Sequence, residues 1–230
     1  MSAMSTFVLL PGAGSDSWYW HRVVPLLAQR GHTAMPVDLP YCDDQADQRA
    51  YADIVVAAIR GAERPLIVVG QSMSAFTAVL VAERVPVDEL ILVAPMIPAP
   101  GESPGLWWGN VGHEDAKRTQ DVLDERDPDA APDPLELFFH DVPTELRDEA
   151  FARDETRLSD TAFEPQWDAV RWPDVPVRVI AGRNDRLFPL PFLTRLANDR
   201  LGVEPETVDS GHLPALACPS ELTELLLARR

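Results

Sequence analysis

Short, nearly unbroken apolar runs alternate with stretches of helical periodicity along most of this chain, and that alternation narrows the fold more than any other feature. Thr6–Leu10, Ala34–Val37, Leu66–Val69, Glu89–Ala94, Val177–Ala181 and Glu206–Val208 read as strands. Val23–Gln29, Ala52–Arg60, Ala75–Glu83, Pro191–Leu201 and Glu221–Ala228 read as helices. A strand that is apolar at successive positions is buried on both faces, so helices must cover both sides of the sheet and its strands run parallel. The expected class is α/β, with a mostly parallel sheet flanked by helices.

The rhythm breaks between Ile97 and Val175. Here lie Pro98-Ala99-Pro100-Gly101, the doublet Trp107-Trp108, and the run Asp127-Pro128-Asp129-Ala130-Ala131-Pro132-Asp133-Pro134 among polar, helix-like pieces. We read 97–175 as a helical cap inserted into a core formed by 1–96 and 176–230. Long connections in compact domains are often lids or binding loops. The cap holds most of the excess acid behind the net charge of −17. Such a segment is either a solvated cover or a source of field that disfavours anionic substrates. Trp107, Trp108, Phe138, Phe139 and Trp167 give it an apolar underside, which holds it to the sheet. Trp108 and Phe139 are candidates to line a pocket beneath it.

Gly70-Gln71-Ser72-Met73-Ser74 falls where the strand Leu66–Val69 gives way to the helix Ala75–Glu83. A serine on a sharp strand-to-helix turn needs small residues two positions before and after it, and Gly70 and Ser74 are small. The pattern departs from G-x-S-x-G at Ser74, and alone it is equally compatible with an ordinary βα turn. Its partners decide. A serine hydroxyl needs a base to take its proton and a third group to orient that base. Of five histidines, His212 in Asp209-Ser210-Gly211-His212-Leu213 follows the last strand; His21, His32, His113 and His140 suit structural or surface roles. Strand carboxyl ends share one edge of an open α/β sheet, so the His212 loop can reach Ser72. Asp185 in Gly182-Arg183-Asn184-Asp185 leaves the same edge, whereas Asp209 would point from its strand end. Ser72, Asp185 and His212 are therefore the candidate catalytic residues. An oxyanion needs two backbone donors, and the candidates are the N–H groups of Met73 and of Ala13 in Pro11-Gly12-Ala13-Gly14. Read alone, that glycine loop is a turn or a phosphate-binding loop, but G-x-G-x-x-G spacing and a P-loop lysine are both missing.

These motifs resemble those of the α/β-hydrolase superfamily, and within it the compact group of plant methyl-ester esterases and hydroxynitrile lyases, with bacterial hydrolases of unassigned substrate. The likeness rests on Phe7-Val8-Leu9-Leu10-Pro11-Gly12-Ala13-Gly14 with Trp18 and Trp20, Gly70-Gln71-Ser72-Met73, Ile91-Leu92-Val93, Gly182-Arg183-Asn184-Asp185 and Gly211-His212. It implies an α/β-hydrolase fold and a serine hydrolase of carboxylic esters. The group often has histidine where Pro11 stands, so any backbone positioning it supplies must come from elsewhere. Its hydroxynitrile lyases carry a lysine and a threonine where this chain has Leu213 and Gly12, which argues against cyanohydrin cleavage.

The expected activity is cleavage of a small or medium uncharged ester or lactone through an acyl-enzyme, without a metal or organic cofactor. Rival readings are a non-hydrolytic biosynthetic step (cyclisation, isomerisation or acyl transfer) in the same pocket, and a small-molecule binding protein. The acidic charge disfavours nucleic acid and anionic membranes. The leading apolar run, Phe7–Leu10, is too short for a signal peptide or a membrane span, so a cytoplasmic location is expected; the expected assembly is a monomer or homodimer. Cys42 and Cys218 lack metal or redox spacing and are read as free thiols, with a single disulfide between them as the alternative.

Overall fold

The computed structural model describes residues 4–153, 157–167 and 171–228, so 154–156 and 168–170 of the segment read as a cap lie outside it. Six strands, β1 (Thr6–Leu10), β2 (Thr33–Pro36), β3 (Leu66–Gln71), β4 (Glu89–Val93), β5 (Val177–Gly182) and β6 (Glu206–Val208), form one sheet in the order β2-β1-β3-β4-β5-β6. Every pairing is parallel. The chain adds β2 outside β1 and then crosses to place β3 on the other side of β1. Loops leaving β1 and β3 therefore diverge around a crevice, the place where open α/β sheets bind ligands. The register aligns Leu10 with Gly70, Gln71 with Val93 and Gly182 with Val208, which brings the carboxyl ends of β1, β3, β4, β5 and β6 to one edge.

Side chains alternate between the two faces of each strand, and two cores result. Val8, Leu10, Val68, Leu90, Leu92 and Val179 face one way, under α2 (Gln48–Ala58), α3 (Ser74–Arg84) and α8 (Leu190–Leu201). Phe7, Leu9, Ile67, Val69, Ile91 and Val93 face the other, packed with Tyr19, Trp20 and Leu27 of the segment that runs into α1 (Val24–Gln29), and with Leu222 and Leu226 of α10 (Pro219–Leu227). Apolar periodicity misses polar first turns. The helix expected from Ala52 begins at Gln48, because the Asp47 carboxylate accepts from the N–H groups of Arg49 and Ala50.

The connection from β4 to β5 carries α4 (Pro104–Asn110), α5 (His113–Leu123), α6 (Pro134–Phe138) and α7 (Thr144–Ala152). It is rooted by buried polar contacts. The Glu102 carboxylate accepts from both terminal guanidinium nitrogens of Arg200, at 2.5 and 2.9 Å, and from the Asn110 side chain and the Ala99 N–H. The Trp107 ring is fully buried and donates to the Ile97 carbonyl at 2.9 Å. One further turn, α9 (Pro214–Ala217), follows the His212 loop. Among the described residues no helix is long and apolar enough to cross a membrane.

Candidate active site

β3 stops at Gln71 and α3 starts at Ser74, leaving Ser72 on the turn at φ 53°. That is the left-handed region, which strains any residue with a Cβ. The turn is held from both sides: the Ser72 N–H donates to the Val93 carbonyl and the Ser72 carbonyl accepts from the Met96 N–H, each at 3.0 Å. A Cβ on Gly70 would stand 2.9 Å from the Ser74 carbonyl oxygen, so only glycine lets strand and helix approach this closely. The hydroxyl that Ser74 brings in place of a glycine is wholly buried, 2.8 Å from the Gln71 carbonyl and 3.1 Å from the Leu10 carbonyl. It fits the elbow by bonding to the end of β3 and lying beside the end of β1.

His212, from the loop after β6, places Nε2 at 3.1 Å from Ser72 Oγ and Nδ1 at 2.8 Å from Asp185 Oδ2. Asp185 leaves the end of β5, and its second oxygen accepts from the N–H groups of Leu187 and Phe188 at 2.8 and 2.9 Å. The carboxylate therefore cannot rotate without breaking two backbone bonds. His212 is 2% and Asp185 4% exposed, so little water competes for the chain of bonds that ends at Ser72. Asp209 instead accepts from the Asn184 side chain. The other histidines serve elsewhere. His21 bonds the Trp18 carbonyl, His32 accepts from the Ser5 N–H, and His113 bonds the Leu187 carbonyl at 2.7 Å, where burial pushes its imidazole below the usual pKa. His140 lies against Gly211.

Ala13 follows Gly12, where a Cβ would collide with the Gln71 side chain and stand 3.1 Å from Ser72 Cβ. Glycine thus brings the β1 loop up to the serine. Among the described residues the N–H groups of Ala13 and Met73 have no hydrogen-bond partner. Tyr41, fully buried, donates its hydroxyl to the Pro11 carbonyl at 2.9 Å. That bond supplies an anchor for the loop at the position where the related group carries histidine.

Above the site, the Phe188 and Phe138 rings meet the His212 imidazole edge-on, with centroids 5.1 and 5.5 Å away. Trp108 packs against Phe188 at 5.8 Å. Phe139, the expected pocket residue, packs instead on Phe151 and the opposite core cluster. Phe138 ends α6 and Phe139 caps it, so the two side chains leave the chain in different directions, and it is Phe138 that faces His212. Among the described residues no group of three or more His, Cys, Asp or Glu side chains could hold a metal ion. Cys42 and Cys218 are free thiols.

The sequence pattern of the alpha/beta hydrolase family matches residues 7–225 of this chain. Norfluorocurarine synthase 1 of Strychnos nux-vomica is 23% identical, over 96% of this chain and 93% of that protein. A probable esterase of Oryza sativa subsp. indica, PIR7A, is 34% identical over 44% of this chain and 42% of its own length. Among solved structures, polyneuridine aldehyde esterase superposes with a TM-score of 0.77 at 20% identity, covering 98% of both chains. A pyrethroid hydrolase from Sphingobium faniae JZ-2 superposes with a TM-score of 0.76 at 20% identity, covering 98% of this chain and 96% of its own.

Proposed function

The chain belongs to the alpha/beta hydrolase family, and from that premise we propose that it is a serine hydrolase cleaving small or medium uncharged carboxylic esters or lactones through an acyl-enzyme. The observation that carries this proposal is the continuous hydrogen-bonded path Ser72, His212, Asp185 on one sheet edge. Among the described residues the N–H groups of Met73, next to the serine, and of Ala13, in the loop that Gly12 brings up to it, have no partner.

Ser72 Oγ attacks the ester carbonyl carbon as His212 Nε2 takes its proton. Asp185 holds Nδ1–H, which keeps Nε2 free to accept and steadies the imidazolium that results. The carbonyl oxygen, now negative, binds the N–H groups of Ala13 and Met73. His212 returns the proton to the leaving alkoxide as the C–O bond breaks, and an alcohol departs. Water then attacks the acyl-Ser72 carbonyl with His212 again as base; the acid leaves and Ser72 regains its proton. Segment 97–175 serves as a cap over this site. Its aromatic rings and acidic excess favour a substrate without negative charge.

The full-length likeness to a protein named a synthase favours one second reading, a non-hydrolytic step in the same pocket. Oxygen labelling separates the two. Turnover of a panel of esters and lactones in H218O gives acids carrying one solvent-derived 18O per cleavage if the proposal holds; conversion without any gain of water overturns it.

A further inference from the structure

The loop that carries His212 is gripped from three directions. From the sheet, Gly182 seats it so closely that a Cβ would collide with the Ser210 and Gly211 carbonyl oxygens, and the Asn184 N–H donates to the Ser210 carbonyl at 3.0 Å. From the elbow, the buried Gln71 amide donates to the His212 carbonyl at 3.3 Å. The third grip comes from the segment between α6 and α7. There Asp141 Oδ2 accepts from the Ser210 hydroxyl at 3.0 Å and from the Gly211 N–H. The first two hold carbonyls, whereas Asp141 holds the donors that lead directly into His212.

This third contact is close and incomplete. A Cβ on Gly211 would stand 2.7 Å from His140 Nε2 and 2.9 Å from Asp141 Oδ1. Among the described residues neither of those two atoms, both buried, has a hydrogen-bond partner. A carboxylate with one oxygen buried and unpaired is a poor device for stability, because each unsatisfied buried group costs free energy. Locally unfavourable groups of this kind concentrate where geometry serves a site. Asp185 fixes the rotation of the imidazole, but nothing in that bond fixes where the backbone of His212 stands.

We propose that Asp141 is a positioning residue for His212, a carboxylate from the β4–β5 insertion that sets the distance between the imidazole and Ser72. The proposal rests on the serine-hydrolase reading above. It makes the insertion part of the catalytic geometry rather than a cover alone. A displacement of about 1 Å in such an arrangement can cost on the order of 100-fold in rate.

The test uses the full chain with Asp141→Ala, Asp141→Asn and Ser210→Ala. It follows the rate of fluorophosphonate labelling by intact mass, kcat and KM for p-nitrophenyl butyrate, and the ring 15N shifts of His212. Asp141→Ala is expected to lower labelling and kcat by about 10- to 100-fold with KM little changed. Asp141→Asn, whose amide oxygen still accepts from Gly211 and Ser210, recovers most of the loss. Ser210→Ala, which removes one of the two bonds, gives an intermediate loss and remains informative if Asp141→Ala does not fold. Wild-type kcat and labelling in Asp141→Ala, or in Ser210→Ala where the former does not fold, overturn the proposal. So does a loss that the asparagine variant shares in full. If the wild type itself is not labelled, the serine-hydrolase reading falls instead. The clamp is then judged by the His212 ring shifts: a change in Asp141→Ala supports it, and unchanged shifts overturn it.

Discussion

Ser72→Ala lowers ester turnover by about 10⁴- to 10⁶-fold, since removing the nucleophile also idles the residues that activate it. Ser72→Gly is equally inactive but melts higher than the parent. The reason is the φ of 53° at this position. A left-handed residue with a Cβ carries about 1–2 kcal/mol of strain that glycine lacks. The extra freedom of glycine in the unfolded chain offsets about 0.5–1 kcal/mol of that gain. The balance is a gain of up to about 1.5 kcal/mol, and in a chain of 230 residues each kcal/mol moves the melting temperature by about 2–4 °C. Thermal melts of the two variants beside their turnover check both halves. A Ser72→Gly protein that is less stable than the parent would contradict the strain assigned to the elbow.

Asp185→Asn is expected to cost about 10⁴-fold in kcat with the fold intact. Two backbone N–H groups, of Leu187 and Phe188, point at Oδ1. Asparagine must keep its carbonyl oxygen there, because its amide nitrogen has no lone pair to offer them. The NH2 group is thereby fixed where Oδ2 stands in the parent, and it donates to His212 Nδ1. Nδ1 must then be the bare nitrogen and Nε2 the protonated one, so the imidazole cannot accept the Ser72 proton. Steady-state kinetics beside a melting curve check this; an asparagine variant within tenfold of the parent would mean that Asp185 does not set the tautomer.

Most of the sheet was legible because β1, β3, β4 and β5 are short, largely apolar runs closed by turn residues, and Thr6–Leu10 matches β1 to the residue. Helix starts were less so. Gln48 and Arg49 lie ahead of the apolar stripe, and the Asp47 cap starts the helix there. Ser72, Asp185 and His212 stood out for one reason: each sits in a short motif at the carboxyl end of a strand, and a parallel sheet brings those ends to one edge. The groups that hold them did not. Tyr41 reaches Pro11, Gln71 reaches His212 and Asp141 reaches Gly211 through side chain to backbone bonds between separate loops. No periodicity or spacing encodes such contacts. The structure places Phe138, not Phe139, against His212, because neighbouring residues lie three backbone bonds apart and differ in the direction their side chains leave the chain, which is set by where the short helix α6 lands.

The proposed role of Ser72 as an activated nucleophile is tested by intact mass after incubation with a fluorophosphonate. One adduct is expected on the wild type, mapped to the peptide containing Ser72, and none on Ser72→Ala. A folded wild type that gains no mass, or an adduct that persists in Ser72→Ala, would contradict it.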